Sequence, residues 1–341
     1  MNGLIGCAQS SCRAGDRGSI LILALWVIFL LAMLAVAVGA HIDGRLALAR
    51  RIELRTTGYF AARNGIAHSL LVLDRDTNSW DSLTEAWADS RDDFSNRVSG
   101  AGMFSITYAY DLSGGEQGTN YGVMDEQSRI DLNMAKVGLL AALLQEAGGM
   151  GAESAMKVAA AIKDAGTKPP PGNPGITDDR CWVDPRLERG RFMSVDEVRW
   201  VKGMTPEVFE KISGYVTVHG GCVNINTAGA VVLHSLLRGA GSVDPASIKS
   251  LTSKILQFRQ SGGIFKTYRG VGLAEALGPG ARLTEGERSR LYAIDPASVR
   301  VTSDHFRGRV EGASAKTAGE SRMIEFVWDR KHHKIEFWHE D

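Results

Sequence analysis

The chain has 341 residues, with 39 basic and 39 acidic side chains and a formal net charge of zero. That balance excludes a strongly basic nucleic-acid binder and an acidic tail, and four cysteines among 39 glycines exclude a disulfide scaffold. A mean hydropathy of −0.09 excludes a chain of many membrane spans, though not a single one.

The first element is apolar. Ser19 to Ala40 reads SILILALWVIFLLAMLAVAVGA and carries no ionisable side chain. At about 1.5 Å per residue a helix of that length reaches about 33 Å, enough for a hydrocarbon core of about 30 Å. A helix also satisfies its own backbone in lipid. Ahead of it lies a polar leader with Arg13, Asp16 and Arg17, closed by Gly18. A cleaved secretory signal has an apolar run of only about 7–15 residues, although Val38 and Ala40 would supply its small-residue site. An ordinary signal anchor fits the length. The junction Arg17-Gly18-Ser19 adds a third reading, because it resembles the processing site of type IV prepilins and type II secretion pseudopilins. The resemblance implies cutting by a prepilin peptidase after Gly18, with Ser19 the first, methylated residue of the mature chain. Five residues into that chain most pilins carry a glutamate, and here the position is Leu23. A carboxylate in lipid is costly and needs a partner, and in the pseudopilin family the K subunit is the member without it.

Arg45, Arg50 and Arg51 follow the span as closely as Arg13 and Arg17 precede it, so the charge rule alone does not orient it. The short leader places the C-terminal bulk outside the cytoplasm. Helical spacing continues through Ile42, Leu46, Ala49, Ile52, Phe60, Ile66 and Leu70, which predicts one long helix, apolar first and amphipathic later.

Trp80 to Gly100 reads as a loop or short helix. Phe104 to Tyr110 alternates as a strand, and Asn120 to Asp125 is its expected partner across a turn at Ser113-Gly114-Gly115. From about residue 131 to 295 helical spacing dominates, broken by Lys168-Pro169-Pro170-Pro171-Gly172. Strand-like runs return at Ser298–Val301, Arg309–Glu311, Met323–Trp328 and Lys334–Trp338. The simplest architecture is α+β: a long N-terminal helix, a small antiparallel sheet, and a large helical domain inserted in the sheet region.

The helical part carries a weak internal repeat. Ile130-Asp131-Leu132-Asn133-Met134-Ala135 aligns with Val223-Asn224-Ile225-Asn226-Thr227-Ala228, and Gly190-Arg191-Phe192-Met193-Ser194-Val195 echoes Gly263-Ile264-Phe265-Lys266-Thr267-Tyr268. Asn133 and Asn226 are expected to cap the helices that follow them.

Several stretches together resemble type II secretion protein K, a minor pseudopilin. They are Asp125–Asn133, Phe192–Val198, Val201–Glu207, Tyr215–Val218, Val223–Ala228 and the closing Ile335–Glu340. The resemblance implies a leader over 1–18, a membrane segment over 19–40 and a periplasmic helical part over 41–75. It further implies a pseudopilin α+β domain from 76–130 and 296–341, with a helical domain over 131–295 between them. The implied role is structural: a tip complex with minor pseudopilins I and J (and H) at the bacterial inner membrane, with no enzyme activity. Family members carry calcium near the first helical repeat. Asp164, Asp178, Asp179 and Asp184 are the candidate ligands here, although no spacing enforces a cage of six to eight oxygens and solvated loop acids are the plainer reading. Cys181 and Cys222 either pair in the exported part or remain free thiols.

No HExxH, GxSxG, P-loop or dinucleotide fingerprint is present. His332, His333 and His339 read as a polar strand edge rather than a metal site. The rival reading is DNA binding, since Gly203-Met204-Thr205 before a helix resembles the turn of a helix-hairpin-helix. Thr205 stands where a second glycine is usual, and residues 131–290 hold 20 basic against 16 acidic side chains, a weak phosphate footprint.

Overall fold

The computed structural model describes residues 17–111, 117–166, 191–239, 245–315 and 320–341. The chain divides into two compact units, residues 1–56 and 57–341. The described part of the first unit is one helix, the opening of α1 (Arg17–Arg75), with no proline and a run of Leu, Ile, Ala, Val and Met.

In the second unit the end of α1 lies on an antiparallel sheet. Its strands run in the order β1 (Arg97–Ser99), β2 (Gly102–Asp111), β9 (His305–Ser314), β10 (Arg322–Asp329) and β11 (Lys334–Glu340). Off this path β3 (Gln117–Tyr121) pairs with β2, and β4 (Met124–Asp125) pairs with β9. Alternation decides the faces: Phe306 and Val310 of β9 and Ile324 and Phe326 of β10 point inward, with Phe104 and Ile106 of β2. They meet Ala62, Ile66 and Leu73 of α1, spaced for one helix face, and the Trp87 and Phe94 rings close the core. Helix and sheet touch backbone to backbone where Gly58 faces Gly312; a Cβ on Gly312 would run into the Gly58 carbonyl and the Ala62 amide.

The helical part has its own apolar core, running from Ile130 to Val301. In chain order it comprises β5 (Ile130–Asp131), α3 (Val137–Glu146), α4 (Ala152–Ala165), a 3-10 turn (Val195–Trp200), α5 (Pro206–Ser213) and β6 (Val216–Thr217). There follow β7 (Val223–Asn224), α6 (Ala230–Gly239), α7 (Pro245–Gln260), α8 (Gly270–Leu277), α9 (Glu285–Ala293) and β8 (Val299–Arg300).

The α+β architecture is therefore as the sequence predicts, with differences in detail. The stretch Trp80–Gly100 includes a helical turn, α2 (Arg91–Phe94), and β1. The expected strand Asn120–Asp125 is two strands, because the chain leaves β2 at Gly122-Val123, where the Val123 amide donates to the Trp87 carbonyl at 2.9 Å. The expected strand at Ser298–Val301 does not join the sheet, since β8 pairs in parallel with β7. His332 and His333 lie in the turn between β10 and β11 rather than on a strand; Asp329 accepts from the His332 amide at 3.1 Å and fixes that turn.

Candidate functional site

The first candidate surface is the apolar opening of α1. Gly18 and Ser19 fall in its first turn, and Leu23, 68% exposed, lies beyond them. Ile20, Leu25, Phe29, Leu30 and Leu34 are likewise exposed, so among the described residues of the first unit this stretch forms a bare apolar helix surface. By length and composition the helix suffices to cross a membrane, and a single N-terminal helix of this kind fits a single-pass anchor.

The second is the pair of helical repeats. In the first, β5 pairs in parallel with β6; in the second, β7 pairs in parallel with β8. Each repeat places an asparagine two residues after the end of its first strand's polar position, and that polar side chain turns it inward. The Asn133 amide donates to Asp131 Oδ1 at 2.7 Å, and the Asn226 amide to Asn224 Oδ1 at 3.0 Å. Each carboxamide then grips a distant phenylalanine backbone from both sides. Asn133 Oδ1 accepts from the Phe192 amide at 2.8 Å while its Nδ2 donates to the Phe192 carbonyl at 3.1 Å. Asn226 makes the same two bonds to Phe265, both at 2.9 Å. The two sequence echoes are thus one device used twice. Asn133 does not cap α3, whose N-cap is Lys136 without a side-chain bond, and the Asn226 carboxamide is spent on Phe265.

The expected hairpin turn is Gly203-Met204-Thr205. Gly203 takes φ +88°, a conformation that favours glycine, and Thr205 caps α5 by accepting from the Val208 amide at 3.3 Å. Pro206 opens that helix without an N–H and Glu207 follows it, so the turn offers few donors and a negative charge where a phosphate would sit.

The third is a buried polar seam that joins β4 and β9 to the repeats, built from Asp125, Glu126 and Gln127. Asp125 Oδ2 accepts from Ser303 Oγ at 2.6 Å and Thr227 Oγ1 at 2.5 Å, and its Oδ1 from the Gln127 amide at 2.7 Å. Burial nevertheless pushes its carboxyl up to about 6. Burial raises Glu126 too, but the charges of Arg129 and Arg307 outweigh it and hold Glu126 below the ordinary range. Thr217 of β6 donates to the same carboxylate. Gln127 Nε2 donates to the Cys222 carbonyl at 3.1 Å. Sequence reading passed over these three as chemistry; the available signal was three consecutive polar side chains between two strand segments.

Cys222 is a free thiol whose Sγ donates to the Ala297 carbonyl at 3.0 Å, and burial pushes its pKa up. Cys181, the proposed partner, lies outside the described residues, as do Asp178, Asp179 and Asp184. Asp164 sits exposed near the end of α4.

No family model matches the chain, and no curated protein does. Among solved structures it is similar to a chain of the GspK-GspI-GspJ complex from the enterotoxigenic Escherichia coli Type 2 Secretion System. The TM-score is 0.50 and the identity 14%, over 88% of this chain and 99% of that one. That likeness shows a pseudopilin-like fold.

Proposed function

We propose that the chain is a minor pseudopilin of a type II secretion system in the position of protein K, with a structural rather than an enzymatic role. The supporting observation is α1, a single helix that is bare and apolar at its start and sheet-packed at its end, within a fold like that of a secretion tip-complex chain. In this reading Gly18 is the last leader residue for the prepilin peptidase, Ser19 is the first mature one, and the bulk lies in the periplasm. Minor pseudopilins I and J, and H, are the partners. Leu23 suits a terminal subunit: a carboxylate in a lipid-embedded helix is costly and is useful only where a neighbour pairs it. The turns of the two repeats serve packing rather than phosphate recognition.

The test is co-expression with I-type and J-type subunits from the same bacterium, followed by purification in detergent. A stable ternary complex whose K-position chain begins at Ser19 by N-terminal sequencing is expected. A monomer that ignores both partners, or a mature chain beginning at His41, refutes the reading. A gel shift with duplex DNA at physiological salt should show no complex.

A further inference from the structure

Three strands bring one imidazole and two carboxylates together at one end of the sheet. His305 opens β9 and stands opposite Asp329, the last residue of β10, in regular antiparallel register. Glu336 arrives differently. Along β11 the register passes from Phe337 opposite Val327 to Ile335 opposite Trp328, so Glu336 is the extra residue of a bulge. A bulge re-aims a side chain, and this one leaves Glu336 Oε2 at 3.4 Å from His305 Nε2. Asp329 Oδ2 is 3.8 Å from the same nitrogen. One donor atom from each residue lies within 4.8 Å of the others.

We propose that His305, Asp329 and Glu336 form a binding site for a divalent transition-metal ion, with Zn²⁺ the metal that best fits this donor set. Charge supports it. Two other buried carboxylates face guanidinium groups: Glu126 faces Arg307 and Asp81 faces Arg330. Asp329 and Glu336 face imidazoles, and the one fixed cation at hand among the described residues is Lys334, at 4.0 Å from Glu336 Oε1. Two carboxylates with a single lysine at their outer edge leave a negative charge that a divalent ion would offset. Spacing supports it as well. Zn–N and Zn–O bonds of about 2.0–2.2 Å in a tetrahedron separate ligand atoms by about 3.3–3.5 Å, so small side-chain shifts suffice.

Donor type favours a borderline metal, since imidazole suits zinc and its neighbours in the series, whereas calcium and magnesium take oxygen alone. Outer contacts are already in place. His219, in the loop between β6 and β7, approaches Glu336 Oε2 with Nδ1 at 3.2 Å, and His332 Nδ1 lies 2.6 Å from Asp329 Oδ2. Such partners fix the orientation of ligating carboxylates. His305 Nδ1 is buried with no hydrogen-bond partner, so the ring's polar contacts are the two carboxylates alone. An ion here would clamp the bulged edge strand β11 to β9.

The experiment uses the full chain in detergent micelles, stripped with a chelator and titrated with ZnCl₂ against a chromophoric competitor. One equivalent is expected to bind and to raise the melting temperature. Glu336→Gln lies on the exposed edge strand and should keep the fold by circular dichroism while weakening binding at least about tenfold; His305→Ala should do the same or worse. His339→Ala should leave affinity unchanged. The proposal is overturned if the parent chain binds no zinc in the micromolar range. It is equally overturned if folded Glu336→Gln binds within less than that factor, since exposed histidines would then hold the ion.

Discussion

The two asparagine clamps make quantitative demands. Replacing Asn226 with alanine strands both the amide and the carbonyl of buried Phe265, and a buried unsatisfied group costs about 1–3 kcal/mol. A loss of about 2–4 kcal/mol is expected, read as the urea midpoint followed by tryptophan fluorescence in detergent. Asn133→Ala should cost less, about 1–2 kcal/mol, because Asn133 is half-buried and water can replace the amide. Equal losses would mean that the repeats are not held in the same way. Asp125 gives a pH dependence. Its carboxyl is raised from 3.8 to about 6 by burial, so its contribution is fully present below about pH 4 and is lost as pH rises through 6. Asp81, buried beside it, is raised as well and acts in the same direction. Glu126 is lowered, so its contribution is present above its ordinary range near 4.5 and fades on acidification. Stability should therefore fall, by on the order of 2–3 kcal/mol, between pH 4.5 and 7. Asp125→Asn should remove a large share of that slope in denaturation curves taken across the window, and an unchanged slope would place the proton elsewhere.

The contact of α1 with the sheet rests on the absence of side chains at one point. Gly312→Ala would force a methyl group into the Gly58 carbonyl and the Ala62 amide, so the helix must lift or β9 must bend. Overpacking of that kind costs about 1–3 kcal/mol. Gly44→Ala, in a stretch of α1 where an added Cβ meets nothing within 4 Å, should instead stabilise the helix by about 0.5–1 kcal/mol. Melting temperatures moving in opposite directions would confirm the contrast. These elements also show where local pattern stops informing. Strands β2, β9, β10 and β11 and the long α1 were legible because each is long enough to express a period of two or of about 3.6. The two-residue strands β5 to β8 have no period to read, and each pairs in parallel with a strand more than 70 residues away in the chain. Asn133 and Asn226 obey the local preference of asparagine for turns, but their partners lie 59 and 39 residues away. His305, Asp329 and Glu336 meet only because of strand register and a one-residue bulge, neither of which leaves a motif.

The sheet joins the chain's departure into the helical repeats to its return. β4 lies against β9, with Asp125 opposite Phe306, so the segment between them begins and ends on neighbouring strands. That geometry suits an insertion, and residues 131–295 are proposed as one. Replacing residues 131–295 with a short Gly-Ser linker should leave the pairing of β2, β9, β10 and β11 intact, because those strands draw their core from α1, Trp87 and Phe94 rather than from the repeats. The seam would pay for the cut: Asp125 would lose Thr227 and Glu126 would lose Thr217, so a lower melting temperature is expected with the strand signal retained. If the chain occupies the filament tip, the helical bulk obstructs the place where a further subunit would stack. The shortened chain should then still enter the membrane through α1 but no longer limit growth, giving longer pseudopili and reduced secretion in a strain that depends on it. Unchanged filament length and secretion, with the shortened chain present at normal abundance, would remove the blocking role while leaving the anchor and the fold untouched.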